Sequence, residues 1–398
     1  MPLDPQFRAS LDTFEAAGLL PLVRGDAVQT RSHYRKLALL RRGPQYVPEQ
    51  VAAVTDRRSP GGVPVRIFDP MQPRGCMLIY LHGGGGVVGD VETHDPLCRR
   101  VANATGARVV SVDYRLAPEH RFPAALDDAE DVLRWLYAEA PDRPVGVAGD
   151  SAGASLAAGL AIRARDKQIP LAAQLLLYPG TDPAMTSSSI LENGEGYFLT
   201  RHDLAWFYQQ YLPADAASAA EADLAHADVA GVAPAIVVTA EFDPLRDEGA
   251  AYADRLKNAG VPTEYVPGPG LVHGFAAFLG VVDRPGAGSA GLASRPRRGV
   301  SPSGQAGLGG VEEQADHGSD DDQVEQHLDA HDDPGQVGLR RDVAESDRGE
   351  DRDGEIQRPA VVELLAEHAS RGLCQGQVNR REHDQEQRDD NAQRFDRS

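Results

Sequence analysis

From the N-terminus to about residue 282, short apolar runs and longer amphipathic ones take turns along the chain. Phe7, Leu11, Phe14 and Leu19–Leu20, then Tyr34, Leu37 and Leu40, form apolar stripes at helical spacing. The segment from Asp4 to about Arg42 therefore reads as helical, ended by Pro44 and Pro48. "AAVTDRR" and "VPVRIFDP", on either side of the turn "SPGG", read as strands. Strand and helix then alternate. "CMLIYL" reads as a strand, "PLCRRVANATG" as a helix with a glycine stop, "ARVVSVDY" as a strand and "PAALDDAEDVLRWLYAEA" as a helix. "VGVAGD" is the next strand and "AGASLAAGLAIRARD" the next helix. "AAQLLLYPG" and "AIVVTAEF" follow as strands, "DEGAAYADRLKNAG" as an amphipathic helix and "PTEYVPG" as a last, weaker strand. Continuous apolar strands alternating with helices predict an α/β fold, a mostly parallel sheet covered on both faces.

Two segments break the rhythm. Thr181 to about Ala233 is too long for a simple crossover and carries Tyr197, Phe198, Trp206, Phe207, Tyr208 and Tyr211. An insertion at that place in an α/β sheet predicts a lid over the strand ends, with most of these aromatics forming the lid's own core. After Val282 the last 116 residues hold one aromatic, Phe395, and no lysine, with 26 acidic residues against 15 basic. Such a composition buries too little apolar surface to offset its ordering entropy, so 283–398 reads as a disordered acidic tail, with "RPAVVELLAEHAS" as a short helix.

The formal net charge of −20 argues against nucleic-acid or anionic-membrane partners, which need clustered cations. Three cysteines, Cys76, Cys98 and Cys374, cannot all pair, and none has C-x-x-C spacing. "MPLDPQFRAS" lacks a signal pattern, and no run reaches the ~18 apolar residues of a membrane span. A soluble protein of the reducing cytoplasm is the expectation.

"LHGGGGVVGD", Leu81 to Asp90, raises the question of a nucleotide. Gly84 to Gly89 fits G-x-G-x-x-G, with an apolar run before it and another, ending in Asp113, about 20 residues on. A pyrophosphate needs the next helix to start inside the glycines, however, and Pro96 places that start near Asp95–Pro96. The dinucleotide match is therefore read as coincidental.

A second motif accounts for more. Gly149-Asp150-Ser151-Ala152-Gly153 is a G-x-S-x-G sequence between an apolar strand and an alanine-rich helix, the setting of a nucleophile elbow. A serine nucleophile needs a base, and the base an orienting acid. Asp243 falls just past a strong strand and His273 just past the last one, in the chain order Ser…Asp…His. Asp247 competes with Asp243, but it falls one turn into a helix, where bonding to the loop is expected instead. The glycines after His82 then make sense as backbone N–H donors for a tetrahedral oxyanion, beside the N–H of Ala152.

Together "HGGGGVVGD", "VVSVDYRLAPEHRFPAALDDAEDVLRW", "GDSAGASLAA", "VVTAEFDPLRDEG" and "VHGF" resemble the bacterial hormone-sensitive-lipase family of esterases, from about residue 5 to 282. The resemblance implies an eight-stranded α/β-hydrolase core at 46–282, a helical cap at 1–45, and the lid at about 181–233. It also implies Ser151 as nucleophile, His273 as base, Asp243 as its partner, and Gly84, Gly85 and Ala152 as oxyanion donors. "DYRLAPE" would brace the site. Two departures stand out. Gly86 occupies a place where the family carries a bulky residue, which predicts a looser oxyanion loop or a wider acyl pocket. The family's closing helix should follow "HGFAAFLGVVDR", where Pro285-Gly286 and the tail stand instead. An out-of-frame or fused segment is expected there, against a genuine acidic tail with a binding role.

The expected function is hydrolysis of short-chain carboxylic esters through an acyl-enzyme, with no metal or organic cofactor. A small-molecule-binding protein on the same scaffold, or one impaired by its altered C-terminus, is the alternative. A nicotinamide oxidoreductase would rest on the glycine match alone. Natural ester, monomer or homodimer stay open.

Overall fold

The computed structural model describes residues 2–43, 46–213 and 220–279. The apolar runs become β1 (Ala53–Arg58), β2 (Pro64–Asp69), β3 (Met77–Leu81), β4 (Arg108–Val112), β5 (Val145–Asp150), β6 (Gln174–Leu177), β7 (Ala235–Phe242) and β8 (Thr263–Val272). They form one eight-stranded sheet in the order β1-β2-β4-β3-β5-β6-β7-β8. β1 with β2 and β2 with β4 are antiparallel, and every other pairing is parallel. The expected mostly parallel α/β sheet is the one observed.

The helices are α1 (Pro5–Ala16), α2 (Ala27–Leu40), α3 (Val91–Thr105), α4 (Ala124–Glu139), α5 (Ala152–Asp166), α6 (Ser189–Glu192), α7 (Arg201–Tyr211) and α8 (Arg246–Asn258). On one face Leu126 and Leu133 of α4, Leu160 of α5 and Leu256 of α8 share an apolar core with Ile79, Val147 and Val237. On the other, Phe7 and Phe14 of α1 and Leu97 of α3 join Leu78, Ala148 and Val238. Covered on both sides, β3 and β5 are buried at every residue, which is why they read as unbroken apolar runs. β1 is exposed throughout, and its Asp56 and Arg57 are paired with Arg66 and Glu139. Charges on an edge strand discourage further pairing.

Three elements differ from the pattern reading. The stretch from Asp4 to Arg42 is two helices, because Pro21 cannot donate in a helix interior and Asp26 caps a fresh start by accepting from Gln29 N at 2.9 Å. α3 begins at Val91, well before Asp95–Pro96, under a capping box in which Asp90 accepts from Thr93 N and Thr93 Oγ1 accepts from Asp90 N. Pro96 is tolerated inside because the carbonyl it leaves without a donor, that of Glu92, accepts from Arg42 Nη2 at 2.5 Å. β8 runs ten residues through Pro267 and Pro269, since among the described residues it lies at the sheet edge and pairs only with β7.

The last described element is a 3-10 turn, Phe275–Ala277. The tail expected at 283–398, its short helix and the fate of the closing helix lie outside the described residues. Up to that point the chain end is held by aromatic packing. Phe278 lies 5.1 Å from Phe7, 5.8 Å from Phe14 and 5.5 Å from Phe198 between ring centroids. One cluster thus joins α1, the segment between α6 and α7, and the turn after β8. Phe14→Ala should therefore lower stability by about 3–5 kcal/mol, read as a shift in the urea midpoint at unchanged slope.

Candidate active site

Ser151, Asp243 and His273 are each the first residue past a strand: β5, β7 and β8 respectively. Parallel strands deliver all three to one edge of the sheet. Ser151 sits at φ 55, ψ −126, a conformation that non-glycine residues occupy only when their surroundings enforce it. The enforcement is visible. Ser151 N donates to Leu177 O of β6, and Ser151 O accepts from Ala154 N at the start of α5. A Cβ on Gly153 would collide with the carbonyls of Leu81 and His82, so only glycine lets α5 approach the end of β3.

His273 Nε2 lies 2.9 Å from Ser151 Oγ, and His273 Nδ1 lies 2.8 Å from Asp243 Oδ2. A carboxylate can only accept, so Nδ1 carries the proton and Nε2 accepts from the serine hydroxyl. Asp243 is fully buried, and its other oxygen accepts from Leu245 N at 2.8 Å. An irregularity in the β7–β8 pairing between Ala240 and Phe242 falls beside both residues, where such features re-aim side chains. Asp247, the competitor, accepts instead from Ser189 N at 2.9 Å. A hydroxyl bonded to an imidazole that is itself bonded to a buried carboxylate is the arrangement that generates an oxygen nucleophile.

The glycine loop is anchored from below by Asp150, the residue between Gly149 and Ser151. Its Oδ1 accepts from Gly83 N at 3.0 Å and from Tyr80 Oη at 2.7 Å. Burial alone would raise this carboxyl, but the nearby His94 ring and the Tyr80 hydroxyl outweigh it and hold the group at about 2. His82 stacks on Tyr114 at 4.1 Å, and Tyr114 Oη donates to His82 O at 2.6 Å, so "DYRLAPE" does brace the loop. With Gly83 N engaged, the N–H groups of Gly84, Gly85 and Ala152 donate to no acceptor among the described residues. Gly84, Gly85 and Ala152 line the same cavity as Ser151 and His273.

That cavity, about 80 Å³, is roofed by the insertion. Phe198, Phe207, Tyr208 and Tyr211 face into it, whereas Tyr197 packs on Phe242. Four of the six aromatics of the insertion therefore line the cavity and do not merely fill a core of its own. The α7 rings lie directly on the bare glycines: a Cβ on Gly85 would strike Phe207, and one on Gly86 would strike Tyr211. The space expected to be empty beside Gly86 is filled by the Tyr211 ring. Sequence reasoning missed Tyr34 and Arg41 of the first segment and Tyr178 after β6, all cavity residues, because no motif marks them. Asp150 was in plain view inside the serine motif, but nothing in the motif says where its carboxylate points. As for a nucleotide, the N-terminus of α3 is occupied by the Asp90 carboxylate, where a phosphate would have to sit.

Sheet order, elbow and loop define a protein of α/β-hydrolase architecture. A family model for the alpha/beta hydrolase fold matches residues 78–277, and the chain belongs to that family. It is 37% identical to the ethyl acetate hydrolase of Pseudomonas putida over 71% of this chain and 95% of that one. It is 38% identical to the carboxylesterase NlhH of Mycobacterium tuberculosis, over 70% and 91% of the two chains. Among solved structures, a hyperthermophilic esterase from Pyrobaculum calidifontis superposes with a TM-score of 0.64 at 39% identity, covering 71% of this chain and 94% of that one. These relatives agree with the hormone-sensitive-lipase kinship read from the motifs.

Two outcomes follow from the packing beneath the loop. Gly153→Ala should lower Tm by several degrees or prevent folding, because the atoms in its way are backbone carbonyls. Burial, reinforced by His94, depresses His82 to about 4 from its ordinary 6.5. The unfolded chain therefore binds the proton first, and stability present above about pH 6.5 is lost as pH falls toward 4. Urea midpoints measured across that window should fall, with a shallower slope in His82→Asn.

Proposed function

We propose that the protein is a carboxylic-ester hydrolase working through a Ser151–His273–Asp243 triad. The observation that carries the reading is the unbroken hydrogen-bond chain from Ser151 Oγ through the His273 ring to the buried Asp243, at the ends of three strands. Kinship with esterases supports the same reaction class.

Ser151 Oγ attacks the ester carbonyl while its proton passes to His273 Nε2. Asp243 keeps the ring in the right tautomer and stabilises the imidazolium. The carbonyl oxygen becomes an oxyanion, received by the N–H groups of Gly84, Gly85 and Ala152. The last of these opens α5, so the positive end of the helix dipole adds to the donation. Imidazolium returns the proton to the departing alcohol, leaving an acyl-enzyme. Water then repeats the sequence and releases the acid. The first proton moves between Ser151 Oγ and His273 Nε2, which are already paired.

A small cavity roofed by Phe207 and Tyr211 supports short acyl chains. In this reading residues 1–45 and about 181–233 cover a catalytic domain of 46–282. Hydrolysis of p-nitrophenyl esters of increasing acyl length, by the protein and its Ser151→Ala variant, is the test. Turnover should be highest for short acyl groups and fall by about four to six orders of magnitude in kcat in the variant. Activity surviving Ser151→Ala would overturn the assignment.

A further inference from the structure

Arg41, just past the end of α2, is 3% exposed and faces the cavity that holds Ser151 and His273. A guanidinium cannot shed its charge, so its burial demands compensation. What it has is partial. Nη2 donates to Tyr34 Oη at 3.1 Å, and the guanidinium carbon stands 5.2 Å and 5.3 Å from the ring centroids of Tyr34 and Phe198. Ring faces attract the cation but accept none of its in-plane N–H groups. Nε is buried without a hydrogen-bond partner among the described residues, and no described carboxylate pairs with the side chain.

Beside it stands a second idle donor. The Tyr178 hydroxyl is buried, has the Ala276 backbone N–H beside it but donates to no acceptor among the described residues, and belongs to the same cavity wall, its ring 4.9 Å from that of His273. Burial keeps this phenol protonated, since it raises the group well above its usual range while Arg41 pulls the other way. The remaining buried acids of the site are committed: Asp243 to His273, and Asp150 to Gly83 and Tyr80. A planar, permanently charged fork, whose one acceptor among the described residues is the Tyr34 hydroxyl, and a neutral hydroxyl donor thus share one small cavity with the reacting serine, and neither meets an anionic acceptor among the described residues. A carboxylate fits that fork with two parallel hydrogen bonds. The chain as a whole, at −20, attracts no anion from a distance, so any preference must come from contact.

We propose that Arg41 and Tyr178 form an anion subsite in the substrate cavity, and that the preferred substrates are short esters bearing a second, free carboxylate, such as monoesters of dicarboxylic acids. The proposal rests on the esterase reading for its chemistry, though not for its binding. The competing role is structural, with Arg41 clamping α2 to Phe198 through its ring contacts alone.

Mono-p-nitrophenyl glutarate and p-nitrophenyl pentanoate differ by one charge at similar length. In Arg41→Met the ratio of kcat/KM for the anionic ester to that for the neutral one should fall about 30-fold or more, mainly through KM, with partial recovery in Arg41→Lys. An unchanged ratio, with both esters losing equally, would make Arg41 the structural clamp and overturn the subsite. Calorimetric titration of glutarate into Ser151→Ala reads the subsite without turnover, and without any change at Arg41. Binding is expected there. Absence of binding while the unaltered protein hydrolyses the pentanoate ester would overturn the subsite and leave the esterase standing. Binding without hydrolysis of either ester by the unaltered protein would sink the esterase reading alone.

Discussion

Gly153 lies so close to the carbonyls of Leu81 and His82 that the end of β3 and the start of α5 meet backbone to backbone. This contact sets the distance between the serine turn and the end of β3, from which the glycine loop runs, and it is that short only because no side chain intervenes. Ser151 takes its unusual backbone angles at the same seam, held by the carbonyl of Leu177 on one side and the first turn of α5 on the other. Fully buried strands on either side keep the seam from relaxing.

Two buried carboxylates divide the work at that seam by what they touch. Asp243 meets an imidazole and a backbone N–H, and so orients His273. Asp150 meets a glycine N–H and a tyrosine hydroxyl, and so holds the loop. Charge is satisfied in both cases. Arg41 is the exception in the same cavity, and an unmatched buried charge in an otherwise well-paired site is best understood as half of an interaction with a ligand.

The insertion completes the arrangement by packing. Phe207 and Tyr211 of α7 occupy the volume that side chains on Gly85 and Gly86 would otherwise fill. Aromatic rings supplied from a distant segment therefore shape the space above the serine, and α2 contributes Tyr34 and Arg41 to its wall. The glycines and the rings that cover them are more than a hundred residues apart in the chain.

The sequence by itself determined what depends on local order. Apolar runs marked the strands, alternation with helices marked the parallel sheet, and Ser151, Asp243 and His273 were legible because each stands directly after a strand. Parallel strands put such positions on one edge without further information. Local rules failed where a distant group intervened: Pro96 sits inside α3 because Arg42 takes the carbonyl it orphans. The direction of Asp150, the lid rings on the glycines, and the burial of Arg41 beside Tyr178 were decided only by tertiary structure. Each is a meeting of surfaces far apart in the chain, and spacing along a sequence carries no record of which surface a side chain will face.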